Sequence, residues 1–181
     1  MIEENPKEAG FAPDDLSDGL RPGQWQTRYP DREAKRAIFS EAAYLSVLFC
    51  ASFAFLILTF LNTPRGWFAS PDGTLNGCSY VVTPFIAGVL SGTLFDMKWL
   101  YHSVAHNRWH RDRLLWRLFA PFLSGLLAVV VTIVIASGLF GFLDPSAVDS
   151  ITRIVAIALL TGFFSDAALA KLSDIAISLF G

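Results

Sequence analysis

Four long apolar stretches, at about 42–61, 80–97, 118–143 and 152–165 or beyond, alternate with short polar segments along this chain. A helix crossing a hydrocarbon core of ~30 Å needs about 20 mostly apolar residues, each rising ~1.5 Å. The first three stretches meet that length. Lipid offers no water to the backbone, so such stretches must be helices that satisfy their own N–H and C=O groups. The pattern predicts an all-α integral membrane protein. Residues 31–181 form a four-helix membrane bundle, and residues 1–30 form a polar tail ahead of it.

Within the second stretch, Thr83-Pro84 marks a kink, because proline lacks the N–H that its helix needs. Gly88, Ser91 and Gly92 follow as a stripe of small residues. Small side chains let helices approach closely where lipid removes any hydrophobic drive between them. The stripe predicts packing, within the bundle or between protomers. The fourth stretch carries a break signal near Gly162–Ser165, with Ser165 as the cap of a new helix and Asp166 in its first turn. Leu169, Leu172, Ala176 and Leu179 then share one face opposite polar residues, the pattern of an amphipathic helix at a membrane surface. The loop at 62–79 holds turn signals at Pro64, Pro71-Asp72-Gly73 and Asn76-Gly77.

Composition agrees with a membrane chain. Of 181 residues, 53% are hydrophobic and the mean hydropathy is +0.46, too apolar for an ordinary soluble domain of this size. The tail gathers Glu3, Glu4, Glu8, Asp14, Asp15 and Asp18 among prolines and glycines. Such a segment buries too little apolar surface to fold alone. It lacks a secretory signal pattern, so the first span serves as its own insertion signal. Cys50 and Cys78 fall at different depths, which argues against a disulfide between them.

Charge distribution fixes an expected orientation. Eleven of the fourteen lysines and arginines lie before the first span or in the segment 98–117; Arg65 and Arg153 lie in the other two loops and Lys171 in the last helix. The positive-inside rule places both termini and the 98–117 segment in the cytoplasm. That segment reads as a basic cytoplasmic helix, suited to anionic lipid. Its composition is what any inner loop carries, so nucleic acid is not an expected partner. Compact loops and small size suggest a bacterial inner membrane.

Two constellations could carry chemistry. His102, His106 and His110 stand at i, i+4, i+8, along one helix face. Two of them could share a metal ion, but three span ~12 Å, and no second histidine cluster completes a site. Asp96 and Asp166 fall near the inner edge of the hydrocarbon core, at the level of Glu41, Lys98, Arg117 and Lys171. Ionisable residues there face the bundle and find partners. The expectation is a ring of ion pairs, with Arg117 or Lys171 neutralising Asp96 or Asp166. No phosphate loop, nucleophile elbow, C-x-x-C or H-E-x-x-H motif occurs. The chain therefore reads as a non-enzymatic, oligomeric anchor, scaffold or effector subunit for cytoplasmic protein partners, without a cofactor. The alternative is an oligomeric ion channel using Asp96 or Asp166. A third reading is a metal-dependent membrane enzyme at the histidines.

Overall fold

The computed structural model describes residues 27, 29–62, 75, 77–139 and 144–180. The acidic tail up to residue 26 and the turn signals at 63–74 lie outside the described residues, as do the side chains of Cys78 and Asp166. Five helices account for nearly all the rest: α1 (Arg32–Asn62), α2 (Gly77–Ala105), α3 (Leu114–Ala136), α4 (Ile151–Phe163) and α5 (Ser165–Phe180). Short 3₁₀ turns precede α3 at Arg111–Arg113 and α4 at Pro145–Val148. Among the described residues, three helices are long and apolar enough to cross a membrane, or four spans if α4 and α5 together count as one.

α2 is the central helix. It packs against α1 on one side and against α3 and α4 on the other. Its small residues make this possible. A Cβ at Gly88 would stand 2.7 Å from the Ser124 carbonyl oxygen and 2.8 Å from the Gly125 Cα of α3. At Gly92 it would meet Ser124 Cβ at 2.7 Å. From α4, a Cβ at Gly162 would stand 2.7 Å from the Gly88 carbonyl oxygen and would also strike the Ser91 hydroxyl. The stripe of small residues thus holds α3 and α4 within one chain. Buried hydroxyls add to the seam by bonding backbone carbonyls of their own helices: Ser91 to Gly88, Thr93 to Val89 and Thr132 to Ala128.

α1 flanks this core. Glu41, Leu45, Ser52, Leu56 and Thr59 are buried along one stripe, spaced about every three to four residues as one helix face requires. The opposite face leaves Val47, Phe53, Leu58 and Leu61 exposed. Large apolar groups outside and small or polar ones inside is the arrangement expected of helices packed in lipid.

The segment 98–117 is not the separate basic helix that its composition suggests. α2 runs on to Ala105 and stops. Asn107 takes a left-handed conformation, φ 56°. The Arg108 N–H bonds the Ser103 carbonyl at 2.8 Å, and the Asn107 N–H bonds Val104 at 3.3 Å. This is a Schellman C-cap, and asparagine tolerates its left-handed position better than most residues. An extended stretch and the 3₁₀ turn then lead into α3. The loop defines the basic end of the molecule.

The expected break in the fourth stretch is present, one residue away from the expected cap. α4 ends at Phe163, Phe164 forms the joint, and Ser165 already lies in the first turn of α5. α4 is capped instead at its other end, where the Ser150 hydroxyl accepts from the Arg153 N–H at 3.3 Å. Its 13 residues span ~20 Å, short of a ~30 Å core. α5 departs at 100°, and its Leu172 packs against the cluster that Val131, Ile135, Val148 and Ile154 form. Rings of Phe95, Phe163 and Phe164 brace the joint, with centroids 5.9 and 5.2 Å apart.

Candidate functional site

The basic end holds a buried polar network built from four segments. Glu41 sits on the inward stripe of α1, where the next helical turn carries Leu45, so helix geometry directs its carboxylate into the bundle. Its Oε1 accepts from Arg117 Nη1 of α3 at 2.6 Å. Its Oε2 accepts from Trp109 Nε1–H at 2.9 Å. Trp109 belongs to the loop, which the Asn107 cap turns back over the bundle. Its backbone N–H donates to Tyr29 Oη at 3.1 Å, and the two rings meet edge to face at 6.1 Å. One helical turn along α1, Tyr44 Oη donates to the Leu118 carbonyl of α3 at 3.1 Å.

Asp96 lies behind this pair on α2. It is 3% exposed, and it feels the charges of both Arg117 and Glu41. Its Oδ2 has no hydrogen-bond partner among the described residues, and neither does Arg117 Nη2. The guanidinium spends Nη1 on the carboxylate of α1 and makes no hydrogen bond to Asp96. Burying an uncompensated charge costs several kcal/mol (on the order of 3–5 when a buried pair is broken). Asp96 Oδ2 is one of three buried side-chain atoms without a partner among the described residues, with Thr83 Oγ1 and Arg117 Nη2. Beside the pair, a cleft of about 210 Å³ opens between α1 and α3, lined by Ser40, Glu41, Tyr44, Leu114, Arg117 and Leu118.

The expected pairings come out differently. Arg117 pairs with Glu41 rather than with Asp96. Lys171 sits at the surface, 3.6 Å from Asp174 on its own helix, an exposed contact worth less than ~1 kcal/mol. Asp166 is on α5, but its side chain lies outside the described residues. Among the described residues, the expected ring of charges comes down to one buried pair with one unpaired acid. The signal for Glu41 was a lone acid at the head of an apolar stretch. Trp109 reads in sequence as one more interfacial aromatic, because a loop that folds back over a helix leaves no periodicity to detect.

The histidines separate. His102 and His106 stack at 5.9 Å, and His106 Nδ1 lies 2.9 Å from the His102 carbonyl oxygen, which occupies one of its two nitrogens. His110 follows the Asn107 cap in extended backbone, φ −127°, so the i+8 position leaves the face. Among the described residues no three His, Cys, Asp or Glu side chains converge as a metal site would need. Cys50 is exposed on α1.

No protein-family model, curated protein or solved structure matches this chain.

Proposed function

We propose that this protein is a membrane-embedded scaffold of the bacterial inner membrane, oligomeric, that anchors or serves as an effector subunit for cytoplasmic protein partners. Both termini and the basic loop face the cytoplasm in this reading. The observation that carries it is the Tyr29–Trp109–Glu41–Arg117 network. It fastens the segment leading out of the acidic tail to the basic loop and to the membrane helices, so the exposed face at that end is one rigid platform. Preorganised surfaces bind partners at lower entropic cost. The close contacts at Gly88, Gly92 and Gly162 favour a solid core over a conduit through one protomer.

The test is photo-crosslinking in intact cells from a reactive residue placed at Phe11. A discrete protein adduct that disappears when the Trp109 platform is disrupted by Glu41→Gln supports the scaffold. Adducts to lipid alone, or none, reject it.

One observation favours a second reading, an oligomeric ion channel: the unpaired carboxylate of Asp96. An intramembrane charge without a partner is a functional suspect by default. Ion flux in liposomes that Asp96→Asn abolishes supports it; flux unchanged by that substitution removes Asp96 from any path.

A further inference from the structure

Between the basic-end halves of α1 and α2 runs an apolar groove of about 390 Å³, lined by Ile38, Ala42 and Ser46 on one wall and Met97, Tyr101 and Ala105 on the other. The size is in the lower range of small-molecule sites, ~300–1,000 Å³. Leu45 and Leu100, both buried, pack together beneath it. Ser46 and Tyr101 are exposed at its mouth. The groove therefore opens sideways, at the depth where the first apolar stretch begins, rather than into the core.

What sits above it has a sign. Along α1, Arg32 and Lys35 precede Ile38, Ala42 and Ser46 at helical spacings of about one turn, so the cations and the apolar wall share one strip of helix surface. Arg32 and Lys35 are both exposed, and neither forms an ion pair among the described residues. Asp31 and Glu33 stand at the first turn, where the Asp31 carboxylate accepts from the Glu33 N–H and so caps the helix. A cationic step above an apolar slot matches one chemistry: an anionic head on a long apolar chain.

We propose that this groove binds an anionic phospholipid of the cytoplasmic leaflet, with one acyl chain between α1 and α2 and the phosphate against Arg32 and Lys35. The site is distinct from the Glu41–Arg117 pair, whose cleft opens between α1 and α3. It rests on the membrane placement of the chain, not on its scaffold role, so loss of the protein adduct in cells leaves it standing.

The test uses the full chain in mixed micelles and in phosphatidylcholine nanodiscs, with and without phosphatidylglycerol, read by native mass spectrometry of retained lipid. The wild-type chain retains phosphatidylglycerol over phosphatidylcholine. Arg32→Gln and Lys35→Gln each reduce that preference about five-fold, the effect of one cation near an anionic surface. Ser46→Trp fills the mouth of the groove from an exposed position and abolishes retention of either lipid; Ala42→Phe does the same from the wall. Circular dichroism confirms that both variants keep their helices. Equal retention of the two lipids by wild type, or undiminished retention in the helical Ser46→Trp variant, overturns the proposal. So does a change of oligomer mass in Ser46→Trp with lipid retention intact, because the groove would then be filled by a second copy of the chain.

Discussion

Trp109 and Glu41 lie 68 residues apart in sequence, yet the indole N–H of one meets the carboxylate of the other at 2.9 Å. The other oxygen of that carboxylate holds Arg117 at 2.6 Å. One acid thereby joins a loop, α1 and α3, and it is buried while doing so. That arrangement makes stability at the basic end depend on a single carboxylate.

Removing that carboxylate's charge strands Arg117. Glu41→Gln is expected to destabilise the protein by ~3–5 kcal/mol, as breaking a buried pair does. Trp109→Phe, which removes one hydrogen bond to a charged group, costs ~1.5–3 kcal/mol. The double change Glu41→Leu with Arg117→Met recovers much of the loss, since neither charge is then left alone. Thermal unfolding in detergent measures all three; with the single changes Glu41→Leu and Arg117→Met it closes a double-mutant cycle, in which additive losses would contradict a direct pair.

Asp96 should behave in the opposite way. Its Oδ2 is buried without a partner, so Asp96→Asn removes an expensive charge and keeps the shape. The expected result is a midpoint equal to or above that of the wild type in the same unfolding assay. A loss as large as that of Glu41→Gln would show that Asp96 is held by a partner.

Two glycines make a paired control on packing. Gly88→Val drives side-chain atoms into the Ser124 carbonyl and the Gly125 Cα, which are backbone and cannot move aside. A cost of ~1–3 kcal/mol or more follows from such overpacking. A Cβ at Gly77 meets nothing within 4 Å, so Gly77→Ala stays within ~0.5 kcal/mol of wild type. Equal effects at the two positions would contradict the α2–α3 contact.

Asp144 offers a test on pH outside the spans. Its carboxylate accepts the Ser146 N–H at 2.8 Å, and that bond holds its pKa below the usual carboxylate value. A lowered folded pKa means the cap stabilises the folded chain above the ordinary carboxylate range and is lost as pH falls through the folded value. Hydrogen exchange at the Ser146 amide should therefore show weakened protection as the solution is taken well into acid, beyond the intrinsic pH dependence of exchange. Asp144→Asn should flatten that dependence; an unchanged profile in the variant would assign it elsewhere.

Much of the fold was legible because long apolar helices follow simple rules of length and close packing. Apolar length predicted the three long helices, and small residues at 88, 91 and 92 marked where helices meet. The break after Gly162 was visible as a change from a uniformly apolar run to an amphipathic one. The loop was less legible. A basic, aromatic stretch reads as helix until Asn107 takes φ 56°, and nothing in periodicity distinguishes that residue from any other polar one. The site was half legible for the same reason. Arg117 and Asp96 stood out as charges at the membrane edge, but their partner depends on which helices touch. α1 brings Glu41 to Arg117, and Asp96 is left without an ion pair of its own among the described residues.

The central claim, a scaffold for cytoplasmic protein, is tested most directly by weighing the native assembly. The full chain and a form lacking residues 1–24 would be extracted from their own membrane in copolymer nanodiscs and their protein masses compared. The scaffold reading predicts that the full chain carries additional soluble protein at fixed stoichiometry, and that the shortened form is reduced to the homo-oligomer alone. Assemblies that differ only by the mass of the missing tails would contradict it.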